Sequence, residues 1–255
     1  MFRRNERSIK EFVRLYPVVS ALVAIYILLW AVSALDLPIA RDIEMWGIGQ
    51  NYAVSQGDYW RLLTATFLHG GFTHMLFNSF SLVIFGPALE RMAGRTKFLL
   101  AYLGAGVIGN LGSLVVAPHA IYFYVGASGA IYGLFGIYLY MIFFRKQLID
   151  PANSQLILIF TIFGFVMTFT QPGIHVQGHL FGAIGGFGLA PLILNRVRPF
   201  YQPSVYRNQD QDVVEIQYGH DRHREENRHP KQSVGKIIWT ALVVLAVLGL
   251  LNRFY

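Results

Sequence analysis

Seven long apolar runs constrain this chain more than any other feature of its sequence. Each run is about 20 residues long, and a helix of that length crosses the roughly 30 Å hydrocarbon core of a bilayer. Only 14% of the 255 residues are charged, whereas a soluble domain carries about 25%. We therefore predict an all-α, polytopic transmembrane helical bundle. The predicted spans lie at about 16–36, 72–90, 98–116, 127–144, 154–171, 176–195 and 236–254.

The apolar runs divide the chain into four regions. Residues 1–15 form a basic N-terminal segment, residues 16–195 hold six spans, residues 196–235 form a charged linker, and residues 236–255 hold the seventh span. We interpret the first run as a retained span, because no small-residue cleavage site for a signal peptidase follows it. The stretch 36–60 is mixed and aromatic, which indicates a segment at the membrane interface.

Lysine and arginine are distributed unevenly between the predicted loops. With the N-terminus in the cytoplasm, all of the 21 basic residues except Arg41, Arg61 and Arg253 fall on the cytoplasmic side, which follows the positive-inside rule. Topology and attraction to anionic lipid then explain the net charge of +7, so we expect the lipid bilayer and no nucleic acid as a partner. We predict a multi-pass protein of a bacterial cell membrane, with its N-terminus cytoplasmic and its C-terminus outside.

The predicted spans hold no acidic residue in their interiors. An intramembrane aspartyl protease needs two buried aspartates and most proton-coupled carriers need a membrane carboxylate, so both classes are disfavoured. The sequence has no H-E-x-x-H zinc motif. His220, Asp221, His223 and His229 do not have the spacing of a closed tetrahedral zinc site. We expect neither a metal nor a cofactor.

Polar side chains recur instead near the outer ends of three predicted spans. The second span carries His74 and Asn78, whose spacing of four residues places them on one helical face. The fourth span begins with Ser128, and the sixth carries His179. With the topology above, all four side chains lie at a similar depth in the membrane, which predicts a shared site.

These residue types suit acyl-transfer chemistry. A serine hydroxyl is a weak nucleophile until a neighbouring base takes its proton, and neutral imidazole suits that task. We therefore predict Ser128 and His179 as a catalytic pair. His74, Asn78 and the Ser128 backbone N–H are suitable donors for an oxyanion. Because the spans offer no carboxylate for a triad, we expect a dyad whose histidine is oriented by an aromatic ring such as Tyr132.

Glycines accompany the same residues. Gly126 and Gly129 flank the serine, and Gly182 and Gly186 form a face of small residues on the sixth span. Such faces let two helix backbones approach closely. We expect this contact to bring the serine within hydrogen-bond reach of the histidine.

Taken together, these motifs resemble those of the rhomboid family of intramembrane serine proteases. The likeness rests on the GxSG around Ser128, the H-x-x-G-x-x-x-G beginning at His179 and the H-x-x-x-N beginning at His74. Trp60-Arg61 and Tyr132 are further matches, and the resemblance covers roughly residues 10–195.

The resemblance implies a six-helix core with a seventh C-terminal span, the 6+1 form of the family. It implies that Ser128 is the nucleophile, that His179 is the general base, and that His74 and Asn78 contribute to the oxyanion hole. The loop after the first span resembles the family's interfacial loop, and the fifth span resembles its substrate gate. The implied substrates are membrane proteins with a transmembrane helix, cut near the outer face.

Two alternatives remain open. His175 with Gly178 and Gly182 satisfies the histidine motif one turn earlier; we favour His179 because Gly186 continues the glycine face. The alternative function is a catalytically silent rhomboid-like protein that binds membrane helices without cutting them. The retained serine and histidine argue against it, and the missing membrane charges argue against a transporter.

Overall fold

The computed structural model describes residues 6–197 of the chain. Apart from its first two residues, the charged linker predicted at 196–235 lies outside this part, as does the seventh span predicted at 236–254. The described residues are helical except for loops, a 3-10 turn at Lys146–Leu148 and one pair of two-residue strands. The elements, in chain order, are α1 Ile9–Leu15, α2 Pro17–Ala34, α3 Ala40–Gly47, β1 Gly49–Gln50, α4 Asn51–Ser55, α5 Arg61–Thr64, α6 Phe72–Ala93, α7 Arg95–Val116, β2 Phe123–Tyr124, α8 Ser128–Phe144, α9 Pro151–Thr170 and α10 Val176–Ile193.

Five of the described helices are long and apolar enough to cross a membrane: α2, α6, α7, α9 and α10. The sixth candidate, α8, is equally apolar but has only 17 residues. These six helices coincide with the first six predicted spans, and their ends differ from the predicted ends by at most three residues. The largest differences arise where helical hydrogen bonding continues through charged or polar residues, as in the first turns of α7 and α9.

The core of the bundle is the contact of α10 with α8 and α7. Backbones meet directly there, because glycines on both sides leave no side chain between them. A Cβ added to Gly182 would overlap the carbonyl oxygen of Gly129, and one added to Gly186 would overlap that of Gly133. A Cβ at Gly109 on α7 would lie 2.5 Å from a carbonyl oxygen of α10. Small residues therefore set the spacing of the three central helices.

A buried carboxylate joins the start of α2 to the end of α6. Glu90 is only 2% exposed, and its two carboxylate oxygens accept hydrogen bonds from the backbone N–H groups of Val18 and Val19 at 3.0 and 2.9 Å. The first turn of a helix has free N–H groups and a positive dipole end, so a carboxylate stabilises it. The sequence placed Glu90 at the end of the second span but did not show this capping contact.

The segment between α2 and α6 folds as three short helices and β1. Strand β1 pairs antiparallel with β2, which directly precedes α8. The Trp60 indole N–H donates to the carbonyl oxygen of Trp46 at 2.9 Å, and Arg61 donates to that of Ile48 at 2.7 Å. The Trp60 and Arg61 side chains therefore tie α5 to α3, while both tryptophan rings stay exposed at the surface. This is consistent with a segment at the membrane interface.

Candidate active site

Ser128 is the first residue of α8 and follows a sharp turn at Gly126. Gly126 has a φ of +124°, a backbone conformation that favours glycine. A Cβ at this position would also lie 2.6 Å from His74 Nε2. Glycine is therefore required at position 126 for two reasons: the φ angle of the turn, and the space that the His74 imidazole occupies. The turn leaves Ser128 half-buried, with its hydroxyl directed toward α10.

His179 lies in the first turn of α10 and is 7% exposed. Its Nε2 lies 2.7 Å from Ser128 Oγ. The Tyr132 ring stacks on the imidazole, with ring centroids 4.2 Å apart and an interplanar angle of 13°. The structure thus brings the predicted serine and histidine into direct contact and places the predicted aromatic ring against the histidine.

The other imidazole nitrogen contacts a residue that the sequence analysis did not single out. His179 Nδ1 lies 2.8 Å from Thr168 Oγ1 on α9. The hydrogen bonds of the His179 imidazole therefore go to two hydroxyl groups and not to a carboxylate. No sequence signal separates Thr168 from Thr161 or Thr170 in the same helix, because threonines in apolar helices commonly bond to their own backbone.

His74 and Asn78 lie beside the turn that precedes Ser128. Their side chains share one face of α6, and the Asn78 amide donates to the His74 carbonyl oxygen at 3.0 Å. The Asn78 Nδ2 lies 3.7 Å from the position that a Cβ of Gly126 would take. Both side chains therefore border the space next to the first turn of α8.

His175, the competing histidine, belongs to a different cluster. It is the residue before α10, and its Nε2 lies 2.8 Å from Ser113 Oγ on α7. The Tyr124 ring stacks on it with ring centroids 4.2 Å apart. The Asn51 amide donates to the same Ser113 hydroxyl at 3.1 Å. The structure therefore pairs His179 with Ser128 and His175 with Ser113.

The start of α8 contributes a fixed electrostatic feature to the site. The first N–H groups of a helix have no intrahelical partner and carry the positive end of the helix dipole. At α8 these groups lie directly beside the Ser128 hydroxyl. Among the residues that the structure describes, no three His, Asp or Glu side chains gather as metal ligands. The weak metal candidate at 220–229 lies outside that part.

Comparison with known proteins identifies relatives over most of the described chain. The Rhomboid domain model matches residues 56–196. The protein named "Putative rhomboid protease YdcA" from Bacillus subtilis is 45% identical over 199 residues, which cover 77% of this chain and 98% of that protein. "Rhomboid protease GluP" from the same organism is 41% identical over 151 residues, and "Rhomboid-like protease 1" from Toxoplasma gondii is 32% identical over 161. The GluP match covers 58% of this chain and 28% of that protein, and the Toxoplasma match covers 61% and 54%.

Proposed function

The chain belongs to the rhomboid family, and we propose that it is an intramembrane serine endopeptidase that cuts transmembrane helices of other membrane proteins near the outer face. Named rhomboid proteases among its relatives support a protease of the membrane. The finer assignment, a Ser128–His179 dyad, rests on the geometry of this chain. The observation that carries it is the 2.7 Å hydrogen bond between Ser128 Oγ and His179 Nε2.

The proposed reaction begins with proton transfer along that hydrogen bond. His179 takes the Ser128 proton as the hydroxyl oxygen attacks a substrate carbonyl, and it returns this proton to the leaving amine. A water molecule then attacks the acyl-enzyme with the same histidine as its base. The Tyr132 ring, stacked on the imidazole, restricts the ring plane throughout and so keeps Nε2 directed at Ser128.

The tetrahedral intermediate carries a negative oxygen, and we propose that the start of α8 stabilises it. The Ser128 N–H belongs to a helix N-terminus, where backbone donors and dipole favour an anion. The His74 imidazole and the Asn78 amide border the same turn from α6. The Asn78 amide nitrogen uses one hydrogen on the His74 carbonyl, which leaves its second hydrogen for the oxyanion.

A substrate helix must reach this site from the bilayer. In a helix each peptide carbonyl is already hydrogen-bonded, so the substrate must unwind locally before Ser128 can attack. We propose that it approaches beside α9, which lies at the edge of the described bundle. Several large apolar side chains of α9 are exposed: Leu156, Ile159, Phe160, Ile162, Phe163 and Val166.

The proposed orientation has the site toward the outside and the basic loops in the cytoplasm. Ser128 starts α8, and basic residues gather at the opposite end of the bundle: Arg91, Arg95, Lys97, Arg145 and Lys146. The chain has no cysteine, so each introduced cysteine is unique. We expect a membrane-impermeant maleimide to label Gln171→Cys in intact cells, and Thr96→Cys only after the membrane is opened. The reverse pattern would contradict the orientation.

The test of function is cleavage of a single-span substrate by the purified protein in liposomes. We expect wild-type protein to cut it, and Ser128→Ala and His179→Ala to lose cleavage. A fluorophosphonate probe should label Ser128 in wild type and fail to do so in His179→Ala. Intact cleavage by Ser128→Ala would refute the assignment. Binding of the substrate with neither cleavage nor labelling would favour the silent, helix-binding alternative.

A further inference from the structure

Thr168 makes three polar contacts at once in the last turn of the apolar helix α9. Its Oγ1 lies 2.8 Å from His179 Nδ1, 2.8 Å from the Tyr132 hydroxyl and 2.8 Å from the Gly164 carbonyl oxygen. The side chain is 2% exposed, so water does not compete for these contacts. This network joins α9 to both α8 and α10 at the proposed dyad.

The number of hydrogens determines how these contacts are arranged. A threonine hydroxyl has one hydrogen to donate and two lone pairs with which to accept. The Gly164 carbonyl oxygen can only accept, so a contact of 2.8 Å to it requires the hydrogen of Thr168. The two lone pairs then accept one hydrogen from the Tyr132 hydroxyl and one from His179 Nδ1.

The opposite arrangement leaves a repulsive contact. If Thr168 donated its hydrogen to His179 Nδ1, its oxygen would face the Gly164 carbonyl oxygen at 2.8 Å without a hydrogen between them. An unsatisfied contact of this kind is costly in a buried site. Only the first arrangement satisfies every donor and acceptor of the network.

Neutral imidazole carries a hydrogen on one nitrogen, and the partner of that nitrogen determines which one. We infer that Thr168 is a positioning residue that holds the hydrogen of His179 on Nδ1 and so leaves Nε2 free to accept the Ser128 proton. The inference rests on the proposed function and deepens it, because it assigns to α9 the role that a carboxylate has in a Ser-His-Asp triad.

The local sequence of α9 fits this role. Gly164 lies one turn before Thr168, and a Cβ at Gly164 would lie 2.8 Å from the Tyr132 hydroxyl. The missing side chain therefore leaves room for the tyrosine to reach Thr168. Because α9 carries the only partner of Nδ1 among the described residues, a displacement of α9 would also remove the group that sets the tautomer.

The experiment compares two substitutions at Thr168 with matched controls in the same helix. Thr168→Val keeps the shape but removes the acceptor, and we expect kcat to fall about 10-fold or more, because a buried N–H loses its partner, while KM stays unchanged. Thr168→Ser keeps the acceptor and should restore most of kcat. Thr170→Val loses the same kind of bond to its own helix, at Val166, and should leave kcat unchanged.

A second measurement reads the tautomer directly and does not depend on activity. In ¹⁵N-histidine-labelled protein in lipid, the His179 signals are those that disappear in His179→Asn. We expect wild type and Thr168→Ser to show a protonated Nδ1 and an unprotonated Nε2, and Thr168→Val to show a mixture. A protonated Nε2 in wild type, or an unchanged spectrum and kcat in Thr168→Val, would overturn the inference.

The two measurements also separate this inference from the proposed function. If wild-type protein neither cleaves nor reacts with the fluorophosphonate probe, the proposed function fails. The ¹⁵N spectra of wild type and Thr168→Val then still test whether Thr168 sets the tautomer of His179. If wild type cleaves and Thr168→Val matches it, the proposed function stands and the role of Thr168 is wrong. If Thr168→Val does not fold, the wild-type spectrum still shows which nitrogen of His179 carries the hydrogen, and so still tests the inference.

Discussion

Two histidines one turn apart each bond to a serine and stack on a tyrosine, yet we propose catalysis at only one of them. His179 Nε2 lies 2.7 Å from Ser128 Oγ, and His175 Nε2 lies 2.8 Å from Ser113 Oγ. Both stacked rings have centroids 4.2 Å from the imidazole, at interplanar angles of 13° and 19°. The side chains of the two clusters are nearly the same, so the difference between them lies elsewhere.

The difference lies in the helix end that carries each serine. Ser128 is the first residue of α8, where free N–H groups and the positive dipole end favour an oxyanion. Ser113 lies in the last turn of α7, where the negative end of the helix dipole disfavours one. The backbone effect that we propose to stabilise a reaction intermediate at Ser128 would therefore destabilise one at Ser113.

Access to substrate separates the two clusters as well. Ser113 is 0% exposed, and its hydroxyl already contacts the Asn51 amide and the Tyr122 hydroxyl. Ser128 is half-buried. We therefore propose that a hydrogen-bonded serine and histidine need two further features for catalysis: access for a substrate carbonyl, and a helix N-terminus at the serine.

The largest expected effect separates the two serines. Ser128→Ala should reduce cleavage by about 1,000-fold or more, because it removes the proposed nucleophile. Ser113→Ala should leave kcat within a few-fold of wild type and lower stability by about 1 kcal/mol, because it removes a buried hydrogen-bond partner. Cleavage rates in liposomes check the first expectation, and unfolding in SDS titrations checks the second. Comparable losses of cleavage would show that the two clusters act together.

The next effect concerns the backbone contact that brings His179 to Ser128. Gly182→Ala places a methyl group against the Gly129 carbonyl oxygen and should move α10 away from α8. We expect lower kcat and a loss of about 1 to 3 kcal/mol in the free energy of unfolding, the usual cost of overpacking. The Ser113–His175 contact involves α7 and should be less affected.

Gly188→Ala is the matched control for that prediction. It lies on the same helix, and a Cβ there meets nothing within 4 Å. We expect unchanged cleavage and equal or slightly higher stability, because alanine is the better helix former. Equal losses in both variants would show that the close contact of Gly182 with α8 is not the cause of the effect.

A smaller effect compares the two stacked tyrosines. Tyr132→Phe keeps the ring but removes the hydroxyl that contacts Thr168, and we expect kcat to fall a few-fold and stability to fall by about 1 kcal/mol. Within the part of the chain that the structure describes, the buried Tyr124 hydroxyl has no hydrogen-bond partner. Tyr124→Phe should therefore leave both quantities unchanged or raise stability. A loss at Tyr124 matching that at Tyr132 would contradict this distinction.

The last effect appears only in acid and tests the His175 cluster. Burial lowers the pKa of His175 from 6.5 to about 4, so the folded protein binds the proton less readily than the unfolded chain does. The stability from the neutral ring is fully present above pH 6.5 and is lost as pH falls toward 4. We expect the free energy of unfolding to fall less steeply over this range in His175→Gln. Parallel curves would show that His175 is not buried in a neutral state.

The predictable part of this protein is the part that follows from local patterns. Apolar runs located six helices within three residues of their ends, because the length needed to cross a bilayer is a property of one segment. The glycine pattern predicted the face of α10 that meets α8. Contacts between residues far apart in the sequence could not be predicted in this way. Glu90 is an example, because its capping of α2 joins residues more than 70 positions apart.

The sequence by itself determined the class of the protein and the six long helices of the described residues, and it predicted the short set of candidate side chains that includes Ser128, His179, His74 and Asn78. It left His175 and His179 as competing partners for Ser128, because both satisfy the same spacing pattern. Tertiary structure decided which histidine faces which serine and added Thr168. The physical reason is that hydrogen bonds depend on distances of about 3 Å, and those distances are set by the packing of α7, α8, α9 and α10 against one another.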